Sequence, residues 1–377
     1  MLKFCTGLFV LVLLSLSALH FGVLPYVDGQ RNAVLIPPPY PVSTVTRAFH
    51  DAAFVADLHA DALLWARDLR QRNSRGQVDL PRLKEGGVDL QVFSVVSKVP
   101  RSMSLVSNDS DTDSLPLLFL AAWRSPATWF SPKARALAQA HELARLAEEA
   151  QLTLVLRRQD LSSAGIKGLL SLEGMYALEA GAEDAMLQLH AAGFRMMGLA
   201  HFTDNTVAGS AHGLHKQGLT PLGRRLIPRM EALGITIDLA HASPAAMADT
   251  LALATKPLVV SHGGAAGNCQ GPRNLSDDML RRIAANGGVI GIGYWQSAIC
   301  DVSVDGIVTA LLYAIQVAGV DHVGLGSDFD GNVATPFDAS GLPLLTEALL
   351  ASGLSQADVR KLLGGNVRRV LGVNLPD

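Results

Sequence analysis

His59 and Asp61 stand one residue apart at the end of the apolar run Phe54-Val-Ala-Asp-Leu-His-Ala-Asp61. Residues i and i+2 of an extended strand point to the same side, so an imidazole nitrogen and a carboxylate oxygen can converge on one ion. That donor pair suits zinc or a similar divalent metal. Alone, the pattern is also served by a histidine that ends a strand and an aspartate that caps the next helix. Other apolar runs end the same way, however: Leu169-Leu-Ser-Leu-Glu173, Met196-Met-Gly-Leu-Ala-His201, Ile235-Thr-Ile-Asp-Leu-Ala-His241, Pro257-Leu-Val-Val-Ser-His262 and His322-Val-Gly-Leu-Gly-Ser-Asp328. Two metal ions a few Å apart need one shared carboxylate and separate ligands for each. Glu173 suits the shared position, with His59 and Asp61 on one ion and His241 and His262 on the other. A water between the ions would be acidified into a hydroxide nucleophile.

Between these runs lie stretches 184–192, 221–233, 244–254 and 276–286, with apolar residues at three-to-four spacing, as in amphipathic helices. Strand followed by helix, repeated, implies a parallel sheet. Strands near Phe54, Leu90, Ile166, Met196, Ile235, Leu258, Val289 and Val323 are enough to close a (β/α)8 TIM-type barrel, whose active site lies at the C-terminal strand ends. The first strand is not followed by the Gly-x-Gly-x-x-Gly of a doubly wound dinucleotide fold.

With 377 residues, 49 % hydrophobic, 35 glycines and a formal charge of -3, the chain fits one large catalytic domain with insertions. A charge so near neutral, with no basic cluster, excludes nucleic-acid binding. Lys3 precedes an apolar run over 4–24, about the 20 residues that span a bilayer, read as an export signal or an uncleaved anchor. Ser15, Ser17 and Ala18 allow cleavage, and Lys3 keeps that end cytoplasmic. The body is then exported, periplasmic or on the outer face of the inner membrane in a Gram-negative source. The domain reading is a leader or membrane tether over 1–27, a Pro-rich connector over 28–48, and one barrel over 49–377.

The stretch 101–132 reads as a long loop with a helical insertion on the active-site side. Asp109, Asp111 and Asp113 lack the glycine and distal glutamate of a calcium loop and read as a solvated turn. Cys269 and Cys300 are the two cysteines of the folded body; in an oxidising compartment, adjacent strand-end loops can bring them together as a disulfide, the alternative being two buried thiols.

Taken as an ordered set, Asp57-Leu-His-Ala-Asp61, Leu172-Glu-Gly174, Leu199-Ala-His-Phe202, Asp238-Leu-Ala-His241, Val260-Ser-His262, Gly271-Pro-Arg-Asn-Leu-Ser276 and Gly324-Leu-Gly-Ser-Asp-Phe-Asp-Gly331 resemble the membrane dipeptidase, or renal dipeptidase, family of zinc peptidases (family M19), over about Phe54 to Leu371. The resemblance implies two Zn2+ with Glu173 bridging, His59 and Asp61 on the first and His241 and His262 on the second. It also implies that His201 contacts the substrate and its tetrahedral intermediate, that Arg273 grips the dipeptide's carboxylate, and that Asp328 is the catalytic acid/base. A homodimer, tolerance of a C-terminal D-residue and a disulfide at Cys269 are implied as well.

The chain departs from animal members after Glu173 (Gly174-Met-Tyr176) and after His201 (Phe202-Thr-Asp-Asn205), and Trp65 stands one position late. His212 and His215 read as loop residues, and Asp330 as a loop or capping residue. The same metal core would serve an amidohydrolase of cyclic amides, lactones or N-acyl amino acids. A non-catalytic envelope binding protein is the reading from another class.

Overall fold

The computed structural model describes residues 2–150, 152–178 and 181–377. Its strands are β1 (Ala56–Ala60), β2 (Leu90–Val96), β3 (Thr153–Leu154), β4 (Lys167–Glu173), β5 (Phe194–Gly198), β6 (Thr236–Asp238), β7 (Val259–Gly263), β8 (Val289–Ile292) and β9 (Val323–Leu325). All pair in parallel in the order β2-β1-β9-β8-β7-β6-β5-β4, and β2 returns to β4 from Leu90↔Lys167 to Val96↔Glu173, closing an eight-stranded ring. The two-residue β3, which the sequence pattern does not announce, fills the edge of β4 before its pairing with β5 begins at Leu170↔Phe194.

Every residue of the eight barrel strands is buried, as parallel strands covered on both faces require. Helices between them start where a hydroxyl can replace the missing intrahelical partner. Thr220, Ser243 and Ser276 accept from the backbone N–H of Gly223, Ala246 and Met279 at the heads of Pro221–Ala232, Pro244–Leu253 and Asp277–Ala285. Gly234 and Gly287, at φ 71° and 83°, turn two of these helices back into β6 and β8. One apolar cluster joins Leu58, Val92, Leu169, Met196, Val259 and Val289, from six strands around the ring, to Val367 and Leu371 of the C-terminal helix Asn366–Asn374.

Where the first and last strands of the ring meet, the tie is polar. Asp57 accepts from Gln91 Nε2 on β2 and from Ser327 N and Oγ just after β9, each at 2.8 Å. The carboxylate is fully buried, which pushes its pKa up, while these three donors pull it back.

The N-terminal segment runs as helix Leu2–Ala18, a π turn Leu19–Val23 and helix Leu24–Arg31. No helix among the described residues is long and apolar enough to cross a membrane. Pro25, lacking a backbone N–H, sits in the first turn of the third piece. The boundary drawn between residues 27 and 28 falls inside this helix, because Asp28 is buried and ion-paired with Arg67 (3.3 Å) and Arg75 (2.8 Å) of the barrel. Helix Thr44–Asp51, opened by a Ser43 cap, likewise begins inside the expected connector.

Cys269 and Cys300 form a disulfide between the loops after β7 and β8, with their Cα atoms 5.5 Å apart. It closes a loop of 31 residues, which in the chain-entropy picture stabilises the fold by about 3–4 kcal/mol. The Cys269→Ser/Cys300→Ser double variant is expected to lose stability of that order in guanidinium titrations, with a larger m-value because the unbridged denatured chain exposes more surface; an unshifted midpoint would contradict it.

Candidate metal centre

The polar residues that end the apolar runs lie at the C-terminal mouth of the ring. His59 is in β1 and His262 in β7, Glu173 ends β4, and His201, His241 and Asp328 follow β5, β6 and β9 by three residues. Asp61 is placed by its N–H, which donates to Phe329 O at 2.8 Å. His241 and Asp328 have φ of 60° and 61°, a left-handed conformation that costs a side-chain-bearing residue about 1–3 kcal/mol and clusters at functional sites.

At the hub is the Glu173 carboxylate. Its Oε1 lies 3.0 Å from His241 Nε2, 3.5 Å from His262 Nε2 and 3.6 Å from His59 Nε2, and its Oε2 lies 3.3 Å from His201 Nε2. His59 Nε2 is also 3.4 Å from Asp61 Oδ1 and 3.8 Å from Asp328 Oδ1. Ligand atoms about 2.0–2.2 Å from a tetrahedral zinc stand roughly 3.3–3.6 Å apart, so these spacings are those of a coordination shell. Three overlapping groups emerge: His59 with Asp61 and Asp328, His59 with Glu173 and His262, and Glu173 with His201 and His241.

The proton inventory makes the same demand. Ser261 Oγ donates to Asp238 Oδ2 at 2.6 Å, so at 2.9 Å it must accept from His262 Nδ1. Burial holds His262 neutral, far below the ordinary imidazole pKa, which leaves a lone pair on its Nε2. Arg273 Nη1, which can only donate, is 3.1 Å from His241 Nε2, so that nitrogen carries a lone pair too. The two lone pairs face each other at 3.0 Å beside the Glu173 carboxylate. His59 Nε2, Asp61 Oδ1 and Glu173 Oε2 are buried with no hydrogen-bond partner. Converging acceptors without donors fit a cation.

The electrostatics agree. Burial first, and then repulsion by Asp330 and Asp61 respectively, push the carboxyls of Asp61 and Glu173 well above the usual range. Burial raises Asp328 to about 7, against the pull of His59. His201 and His241 are held well below the imidazole value, by burial and then by Arg273.

Arg273, half-buried on the loop pinned by the disulfide, donates Nη2 to His262 O at 2.8 Å and packs over Trp295 with 5.2 Å to the ring centre. Asp330 does not cap a helix: it accepts from Gln77 N and Val78 N and pairs with Arg67 at 2.7 Å. His212 is buried beside Phe202 with Nδ1 at 2.6 Å from Leu105 O, and His215 is exposed; neither belongs to a metal-sized group. Asp113 pairs with Arg135 rather than with its aspartate neighbours. Trp65, one position late in the motif, nevertheless lines the site cavity and donates Nε1 to Asp330 O at 2.8 Å.

Sequence reasoning missed Asp238 and Ser261, which set the histidine tautomers. Alternation along β7 would send Ser261 away from His262, but the pairing with β8 shifts register between Val260 and Gly263. The signal available was Asp238 three residues before His241, inside a quoted motif. A cavity of about 630 Å³ opens from Asp61 and His201 toward Trp65, Val96 and the insertion at 102–121, well within the size range of small-ligand sites.

Comparison with known proteins identifies the family. The family model described as membrane dipeptidase (peptidase family M19) matches residues 44–374. An uncharacterized dipeptidase of Schizosaccharomyces pombe is 30% identical over 311 residues, covering 78% of this chain and 72% of that protein. Dipeptidase tcpJ of Claviceps purpurea is 30% identical over 307 residues, 78% of this chain and 69% of its own. Among solved structures, a metallopeptidase from Rhodobacter sphaeroides liganded with a phosphinate mimic of the dipeptide L-Ala-D-Ala superposes with a TM-score of 0.70 at 26% identity, covering 85% of this chain and 99% of that one. A closed barrel carrying this cluster, matched over 44–374 by that model, belongs to the membrane dipeptidase family, peptidase family M19.

Proposed function

We propose that the chain is a zinc-dependent dipeptidase that hydrolyses the single peptide bond of free dipeptides, including those with a C-terminal D-residue. The observation that carries this is the Glu173 carboxylate set among the Nε2 atoms of His59, His241 and His262, with those of His241 and His262 turning lone pairs toward it. Two Zn2+ suit the donors, His59 and Asp61 holding one, His241 and His262 the other, and Glu173 both. Zinc bound there supplies an acidified water as nucleophile and polarises the scissile carbonyl.

The rest falls to the chain's own groups. Asp238 orients Ser261, which fixes the proton of His262 on Nδ1 and turns Nε2 inward. Arg273 matches a carboxylate with a planar, two-pronged cation, and a dipeptide always has one just beyond its scissile bond. His201, neutral through burial, retains one N–H for the developing oxyanion. Asp328 at the rim carries the proton to the leaving amine. The D-residue reading is supported by the L-Ala-D-Ala mimic held by the Rhodobacter sphaeroides relative. Export is supported by the disulfide, since such bonds persist in oxidising compartments.

Reconstituted with Zn2+, the protein is expected to hydrolyse free dipeptides and to spare amidated ones; Arg273→Ala should raise KM for free dipeptides on the order of 10–100-fold and leave the amidated analogue unaffected. Equal turnover of both substrates by the native chain would sink the dipeptidase reading in favour of a broader amidohydrolase. Asp328→Asn should keep its metal content by elemental analysis while kcat falls about 10²–10⁴-fold, and loss of a metal would make Asp328 a ligand instead. Ser261→Ala is expected to weaken zinc about 10–100-fold in competition titrations with a chelator; unaltered affinity would deny the Asp238–Ser261–His262 relay.

A further inference from the structure

The substrate cavity has a wall that lies outside the residues the family shares. Leu19, Val23, Leu24, Val27 and Arg31, from the helical segment 19–31, line the same cavity as Asp61 and His201, although the family match begins only at residue 44. This wall is built in. Leu24 is 5% exposed and packs with Leu64, Trp65, Val96, Leu115 and Phe119. Asp28 is paired with Arg67, which in turn pairs with Asp330, two residues beyond Asp328. Asn32 accepts from Asn332 N at 2.9 Å, and His20 lies flat against Trp123 with ring centres 4.0 Å apart.

We infer that the segment Leu19–Arg31, read from sequence as the end of a leader or membrane anchor and the start of the connector, is a permanent part of the enzyme and forms the apolar subsite for the side chain of the dipeptide's amino-terminal residue. This rests on the proposed dipeptidase reading, in which Arg273 holds the carboxylate. Arg273 contacts His241, His262 and Trp295 and does not line this cavity. A dipeptide whose carboxylate is held there and whose scissile bond lies at Glu173 therefore directs its amino-terminal residue toward Asp61, His201 and the helix. Five side chains of the segment line the cavity: Leu19, Val23, Leu24 and Val27 are aliphatic and Arg31 is cationic, so an apolar side chain set against the four aliphatic ones gains by leaving water while a glycine gains nothing. Cleavage within Ser15–Ala18, where small residues permit it, would leave this wall intact; cleavage at the expected boundary after residue 27 would remove it.

Two measurements on the full chain expressed in its exporting host decide the matter. Mass spectrometry of the mature protein should find an N-terminus at or before Leu19, and a terminus beyond Leu19 overturns the inference. Val23→Asn/Val27→Asn, chosen because neither position is fully buried, should lower kcat/KM for leucyl dipeptides about tenfold more than for glycyl dipeptides, the discrimination a hydrophobic pocket can give. An equal loss for both classes, or no change in their ratio, shows that the helix does not touch the side chain and overturns the subsite. If the native, zinc-loaded chain cleaves neither class, the dipeptidase reading fails and the subsite with it, whatever the N-terminus.

Discussion

A carboxylate buried among the Nε2 atoms of four histidines is the constraint that organises the mouth of this barrel. Glu173 is nearly inaccessible, and the nearest nitrogens of His241 and His262 offer it lone pairs rather than hydrogens. Such an arrangement is repulsive in a low-dielectric interior until a cation occupies the centre. Everything that holds these groups in place works against their own electrostatics. The barrel supplies that force: seven consecutive pairs join β2 to β4, and the buried Asp57 stitches β1 to β2 and to the residues after β9.

Strain is stored beside the chemistry. His241 and Asp328 both take the left-handed backbone conformation immediately after a strand, and each is followed by residues tied firmly into the core. Ala242 N bonds to Leu239 O, and Phe329 is fully buried among Tyr294 and Phe337. A side chain delivered from such a bend is aimed by the backbone rather than by its rotamer alone, which suits a ligand or a proton carrier whose position must not drift.

Much of this was legible in the chain. Polar residues at the ends of apolar runs reveal a parallel barrel and its functional face together, because parallel strands must be apolar along their length and only their ends can carry ligands. The features that escaped share a physical cause. Ser261 escaped because a register shift breaks the two-residue alternation on which strand reading depends. Asp238 looked like a strand residue of no distinct purpose until the hydroxyl of Ser261 was found at 2.6 Å. The N-terminal helix escaped because an apolar run after a lysine reads as export signal or anchor whatever else it does; only the burial of Asp28 and Leu24 distinguishes a segment that also belongs to the fold. Trp65, set aside for its spacing, reached the cavity all the same, since the 3₁₀ turn Ala62–Leu64 brings it back over Asp330.

Arg273 then ties the proposed metal centre and substrate site to the disulfide. An imidazole Nε2 has one lone pair, so His241 cannot accept from Arg273 Nη1 at 3.1 Å and coordinate an ion through the same atom. A cation held through that atom would displace this contact, and like charge would act in the same direction. Arg273 keeps its second anchor, Nη2 to His262 O, and its place over Trp295, so the freed edge of the guanidinium remains beside the reacting groups. The loop that carries it cannot swing away, because Cys269 is bonded to Cys300 and Asn274 Nδ2 reaches the carbonyls of Cys269, Ser297 and Ala298. In the proposed dipeptidase the arginine that would meet the substrate carboxylate is therefore held in register by the same loop that the disulfide pins.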